Sequence, residues 1–169
     1  MELRSRFAYK NPLYAGSTLN THMYYTYTST RSSVHYDPQT ATWVEGESDL
    51  GDIAPHKVQA GVNVPVRPNW NLFLSGNYVS GKKLYLRNPL RWADRDLDGD
   101  IVVNCILRFR YEPWTVALQV NNLFDREYFH AGVESADAGD DFSNRSLGFY
   151  NSLHAQPGRS FVFRLGIQY

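Results

Sequence analysis

The chain holds a single cysteine, Cys105, in 169 residues, so neither an internal disulfide nor a multi-thiol metal site can form. It has no surplus of either charge. Seventeen Lys and Arg balance seventeen Asp and Glu, leaving no positive excess to displace counterions from a phosphate backbone, which excludes nucleic acid as a partner. Long hydrophobic runs are missing as well: no stretch approaches the roughly eighteen apolar residues of a transmembrane helix. The first residues, Met1 to Phe7, carry two basic side chains but no apolar core segment and no small-residue cleavage site, so no export signal is visible. The expectation is a chain that is not exported, or one that belongs to something longer. Its length fits one domain.

Aromatic rings, by contrast, are abundant. Twelve Tyr, nine Phe and four Trp make 15% of the chain, more than a core of this size needs. Mean hydropathy is low at -0.46, which leaves a transmembrane β-barrel open, because barrel strands hide their apolar residues in alternation.

The period along the chain is two. In the last segment Phe161, Phe163, Leu165, Ile167 and Tyr169 share one parity and Ser160, Arg164, Gly166 and Gln168 the other, with Val162 the exception. Trp114, Val116, Leu118 and Val120 alternate with Thr115, Ala117, Gln119 and Asn121. Ile101, Val103, Cys105, Leu107, Phe109 and Tyr111 oppose Asn104, Arg108 and Arg110. The same rule holds for Trp70 to Tyr78 and for Val58 to Val66. It is weaker for Leu19 to Tyr27 and Leu3 to Tyr9. The pattern predicts about seven strands of on the order of ten residues, roughly twice the length usual in a soluble domain. Pro at Asn11-Pro12, Arg67-Pro68-Asn69 and Glu112-Pro113 marks tight turns, since Pro has no N–H to give to a ladder. The joins near residues 30–55, 81–100 and 125–158 are far longer than the median of about five residues.

Alternation alone does not separate a lipid-facing sheet from one face of a soluble β-sandwich. Strand length and aromatic placement favour the membrane. A tilted strand needs about 9–11 residues to cross the hydrocarbon, and amphipathic rings gather at both interfaces. Tyr9, Tyr14, Trp70, Tyr111, Trp114 and Tyr169 fall near the short-turn end, and Tyr27, Tyr78, Phe124 and Tyr128 near the long-join end. The predicted fold is therefore all-β: an antiparallel, up-and-down transmembrane β-barrel segment with short turns at one end and long loops at the other. An odd strand set in such a barrel points to further strands, because bacterial single-chain barrels have even numbers.

Two motifs give this pattern a family likeness. Asn121-Asn122-Leu123-Phe124-Asp125-Arg126-Glu127-Tyr128 is followed by Pro157-Gly158-Arg159-Ser160-Phe161 and a final strand ending in Tyr169. The pair closely resembles the C-terminal end of TonB-dependent outer-membrane receptors. Pro55-His56-Lys57 and Asp98-Gly99 are similar to the same family more weakly. By that resemblance, residues 1–169 correspond to roughly the last third of a 22-stranded transporter barrel, without a plug domain and without a TonB box. The resemblance implies a place in the bacterial outer membrane and a share in energy-coupled uptake of a scarce ligand (siderophore-iron, cobalamin or carbohydrate), with no competence for transport alone. It also implies the partners: the lipid bilayer, the remaining barrel strands and plug, TonB–ExbB–ExbD acting through the plug, and the barrel-assembly machinery. That machinery reads the C-terminal strand, so Phe161, Phe163, Leu165, Ile167 and Tyr169 become the assembly signal.

On the polar parity Arg4, Arg6, Arg108, Arg110 and Arg164 form a candidate lumen-facing ladder, able to attract an anionic ligand or pair with a plug's acids. Pairing with carboxylates inside the lumen is the plainer alternative. His22 shares this parity and reads as a hydrogen-bonded wall residue. Asp94-Arg95-Asp96-Leu97-Asp98-Gly99-Asp100-Ile101 opens like a calcium loop but has Cys105 where the bidentate Glu belongs. Glu134, Asp137, Asp140 and Asp141, near His130, read as a hydrated loop. Neither supports a metal, and no cofactor is expected. Ser152 and His154 lack an orienting third group and a nucleophile elbow, so no enzyme is expected. Two rival readings stay open: a small self-contained outer-membrane barrel or adhesin, and a soluble β-sandwich binding module.

Overall fold

The computed structural model describes residues 1–29, 31–37, 40–84, 96–132 and 153–168. Among them are eleven strands: β1 (Glu2–Lys10), β2 (Thr18–Tyr27), β3 (Arg31–Asp37), β4 (Thr42–Asp49), β5 (His56–Arg67), β6 (Trp70–Val79), β7 (Asp100–Tyr111), β8 (Trp114–Asn121), β9 (Phe129–Ala131), β10 (Leu153–Ala155) and β11 (Ser160–Ile167). Seven of these form one antiparallel sheet in the order β1-β2-β5-β6-β7-β8-β11. Each main strand therefore lies beside the one before it in the chain, as in an up-and-down meander. These are the seven segments whose alternation predicts strands; Tyr169, expected at the end of the last one, lies outside the described residues.

Register fixes what each face carries. Phe161, Val120, Cys105, Leu74, Val62, Thr21 and Phe7 are successive cross-strand partners, one per strand. Alongside run Phe163, Leu118, Leu107, Leu72 and Val64. Because the side-chain period is two, all of these leave from one side of the sheet. The other side carries the intervening rows, such as Val162, Gln119, Ile106, Phe73, Asn63, Asn20 and Ala8. Apolar Ile106, Phe73 and Val162 make it a mixed surface rather than a wholly polar one.

The sheet is a single layer. Every substantial contact between elements joins hydrogen-bonded neighbours, and no second layer covers the apolar side among the described residues. Phe163 is 67% exposed, Leu165 59% and Leu118 41%, whereas a sandwich would bury all three. Leaving such side chains in water forgoes about 1.5–3 kcal/mol each. The sheet is also open: β1 and β11 are its edges and do not pair with each other.

The three short connections cluster at one end. Pro68-Asn69 joins β5 to β6, and Glu112-Pro113, with a cis peptide bond, joins β7 to β8. The turn expected at Asn11-Pro12 is a larger loop over residues 11–17, built around Asn11, which is only 6% exposed. The Asn11 side chain donates to Ser17 Oγ at 2.8 Å and to the Pro65 carbonyl, and accepts from the Leu13 N–H at 2.9 Å.

The long joins hold structure that alternation did not reveal. Residues 30–55, expected to be a loop, contain the antiparallel ribbon β3–β4, and β9–β10 form a second ribbon. Arg31–Asp37 and Thr42–Asp49 pair only with each other. Their few apolar residues, Val34, Tyr36, Trp43 and Val44, do not alternate through both strands, so periodicity gives little signal there.

Candidate functional site

The outward face supplies the first functional surface. At its short-turn end Trp70 and Phe109 meet with ring centroids 4.8 Å apart, and Tyr111 stacks on Phe109 at 6.5 Å. Ile167, Trp114 and Tyr111 form the next cross-strand row. At the long-join end Tyr25 and Tyr27 pack on His56 at 6.0 and 5.2 Å, and the Tyr25 hydroxyl meets His56 Nδ1 at 2.8 Å. His56, the centre of the Pro55-His56-Lys57 motif, thus ties two tyrosines to the rim. Aromatic rings with polar tips bound the apolar band at both ends, the arrangement that suits two membrane interfaces. Phe161, Phe163, Leu165 and Ile167 line the outward side of edge strand β11, 45% exposed or more.

The inward face supplies the second. The five candidate arginines do not form one ladder, because β2, β5 and β6 separate two groups. At the β1 edge Arg4 pairs with Glu2 at 3.3 Å, and Arg6 donates to the Tyr24 hydroxyl at 3.3 Å. Beside Tyr24 lies His22, stacked on Phe73 at 6.1 Å over the flat spot left by Gly61. An added Cβ at Gly61 would sit 2.4 Å from the imidazole. His22 is therefore packed into the wall.

The other group surrounds a basin of about 560 Å³ at the short-turn end. Arg164 and Arg108 flank Ala117 in one cross-strand row that continues to Asn71 and Pro65, and Arg110 lies two residues along β7. Arg67 and Tyr14 complete the lining. None of Arg67, Arg108, Arg110 and Arg164 forms an ion pair among the described residues. Two strands of spacing hold Arg108 and Arg164 roughly 10 Å apart at the backbone.

Tyr14, Arg67 and Asn71 were not among the candidate residues, although alternation places Asn71 on the polar side. Tyr14 was expected at the lipid interface, but the Asn11 loop turns it inward: Ser17 Oγ donates to the Tyr14 carbonyl at 2.7 Å and pins the segment. Arg67 shares the inward parity of Pro65 and Asn63, which was the available signal. At the basin floor the Asn71 amide nitrogen donates to Asn63 Oδ1 at 2.6 Å, while Asn71 Oδ1 is shut off from water with no donor.

The two family-like motifs meet in space. Asn122, 3% exposed and left-handed at φ 50°, accepts from the Arg126 N–H and donates to the Arg126 carbonyl, both at 2.8 Å. Its own N–H donates to Asn104 Oδ1 at 2.9 Å, and its amide also reaches the Pro157 carbonyl at 3.4 Å. Asp125 accepts from the Arg159 N–H at 2.7 Å and pairs with its guanidinium at 3.6 Å. A Cβ at Gly158 would lie 3.0 Å from that carboxylate. Together these residues lash the exit of β8 to the start of β11. Asp98-Gly99 is likewise a close approach: a Cβ on Gly99 would meet the Gly81 nitrogen and Val79 oxygen at 2.9 Å.

The remaining candidates divide. Asp94, Arg95, Glu134, Asp137, Asp140, Asp141 and Ser152 lie outside the described residues. Asp96 and Asp98 flank the small bridge between Lys82 and Leu97, and His154 faces His130 across the β9–β10 ribbon. Among the described residues no three His, Cys, Asp or Glu side chains come together.

No family model matches the chain, and no curated protein does. Among solved structures it is similar to the crystal structure of BauA, the ferric preacinetobactin receptor from Acinetobacter baumannii, with a TM-score of 0.43 and 11% identity. The likeness covers 97% of this chain and 26% of that receptor, so the chain spans about a quarter of its length.

Proposed function

We propose that the chain is part of the barrel wall of an outer-membrane receptor of the TonB-dependent kind, non-catalytic, and that it serves ligand uptake only together with further strands and a plug. The observation that carries this is the uncovered apolar side of a one-layer sheet, continuous across all seven strands and rimmed by aromatics at both ends. Lipid is the partner that makes such a surface favourable, since acyl chains cover it without competing for hydrogen bonds. Strands β5 and β7 have twelve residues each and β6 ten, enough to cross tilted hydrocarbon of about 30 Å. The junction of Asn122 and Asp125 with residues 157–159 gives the motif resemblance a structural basis. In this proposal the long joins face outward from the cell and the short turns inward.

The test is fractionation followed by electrophoresis. The protein should sediment with outer membranes, resist extraction by salt and alkali, and dissolve in detergent, whereas a heat-dependent gel shift of the chain alone would favour the self-contained barrel. A monomeric, cooperatively folded preparation in plain buffer would overturn the proposal and favour a soluble binding module.

A further inference from the structure

We propose that the basin at the short-turn end of the inward face binds a phosphate-bearing ligand through Arg67, Arg108, Arg110 and Arg164. This goes beyond the membrane-wall assignment, because the basin lies on the opposite side of the sheet and its chemistry does not depend on what covers the outer side. Four arginines line one basin with no carboxylate paired to any of them among the described residues. Holding like charges together is unfavourable unless an anion answers them. A single carboxylate accepts one guanidinium fork, whereas a phosphate brings about −1.5 to −2 charges and three acceptor oxygens at neutral pH. The volume, about 560 Å³, falls in the small-ligand range of roughly 300–1,000 Å³. Tyr14, in the loop built on Asn11, also lines the basin. A free phosphate ester and a lipid head group share this chemistry.

Calorimetric titration of the full polypeptide in nonionic detergent tests it, with orthophosphate and pyrophosphate as soluble probes and micelles doped with phosphatidylglycerol as the lipid probe. The expected result is that Arg108→Gln combined with Arg164→Gln weakens phosphate binding at least tenfold. The Lys double variant should retain part of the affinity, and Lys57→Gln, at the far end of β5, all of it. A response to orthophosphate assigns a soluble ligand, and a response to doped micelles alone assigns a head group. Unchanged circular dichroism and gel mobility in the variant separate lost binding from lost fold, and Arg110→Gln alone serves if the double variant misfolds. Equal affinity of wild type and Gln variants, binding of no probe, or displacement of phosphate by a polyglutamate peptide at equal charge concentration would overturn it. Solubility without detergent would sink the membrane assignment and leave this titration intact.

Discussion

Asn122 shows why a short polar run between two strands can be so constrained. Its backbone sits in the left-handed region that Asn tolerates better than most residues, and its amide answers both polar groups of Arg126. Asn122→Ala removes these part-buried bonds and adds backbone strain, at a cost of about 1–3 kcal/mol. Urea unfolding in detergent should show a lower midpoint for this variant, while Asn20→Ala, on an exposed position of β2, should leave the midpoint nearly unchanged. The motif itself was legible as a pattern at the chain level, but not its reason, because the partners at Asn104, Pro157 and Arg159 lie far away in sequence. Tyr14 stayed hidden for a related cause: what turns it inward is a loop folded on Asn11 and Pro65, and no periodicity encodes that.

At the scale of strands, parity was the reliable signal. Leu118 and Gln119 are neighbours in β8, yet one joins the row of Phe163 and Leu107 and the other the row of Val162 and Ile106. In a bilayer Leu118→Arg should therefore cost about 2–4 kcal/mol near the midplane, whereas a charge facing the other way costs little. Insertion into lipid vesicles, followed by protection from protease, should fall sharply for Leu118→Arg and stay near wild type for Gln119→Arg; equal effects would contradict the assigned orientation. Parity fails where neither side needs covering. The β3–β4 ribbon pairs its strands only with each other, and with several Ser, Glu and Asp residues it resembles a loop by composition. The same limit applied to the arginines: alternation placed all five on one side, but only strand order shows that β2, β5 and β6 stand between the two groups.

For the molecule as a whole, the open sheet leaves two rows of unpaired backbone groups at β1 and β11. Exposed edges of this kind template association. The 169-residue chain, purified without additional strands, should be polydisperse by light scattering, and a monodisperse, protease-resistant sample would contradict this. The direction of those edges sets a further condition. Alternating reversals across seven strands make β1 and β11 travel the same way. Copies inserted into one bilayer with a common topology therefore always meet along co-directional margins, whatever their number. Such rings would contain a parallel seam at every junction, unlike the wholly antiparallel bacterial barrels. Antiparallel closure of a barrel from this sheet would take an odd number of strands beyond these seven, with one more running opposite to β1 and β11 than running with them.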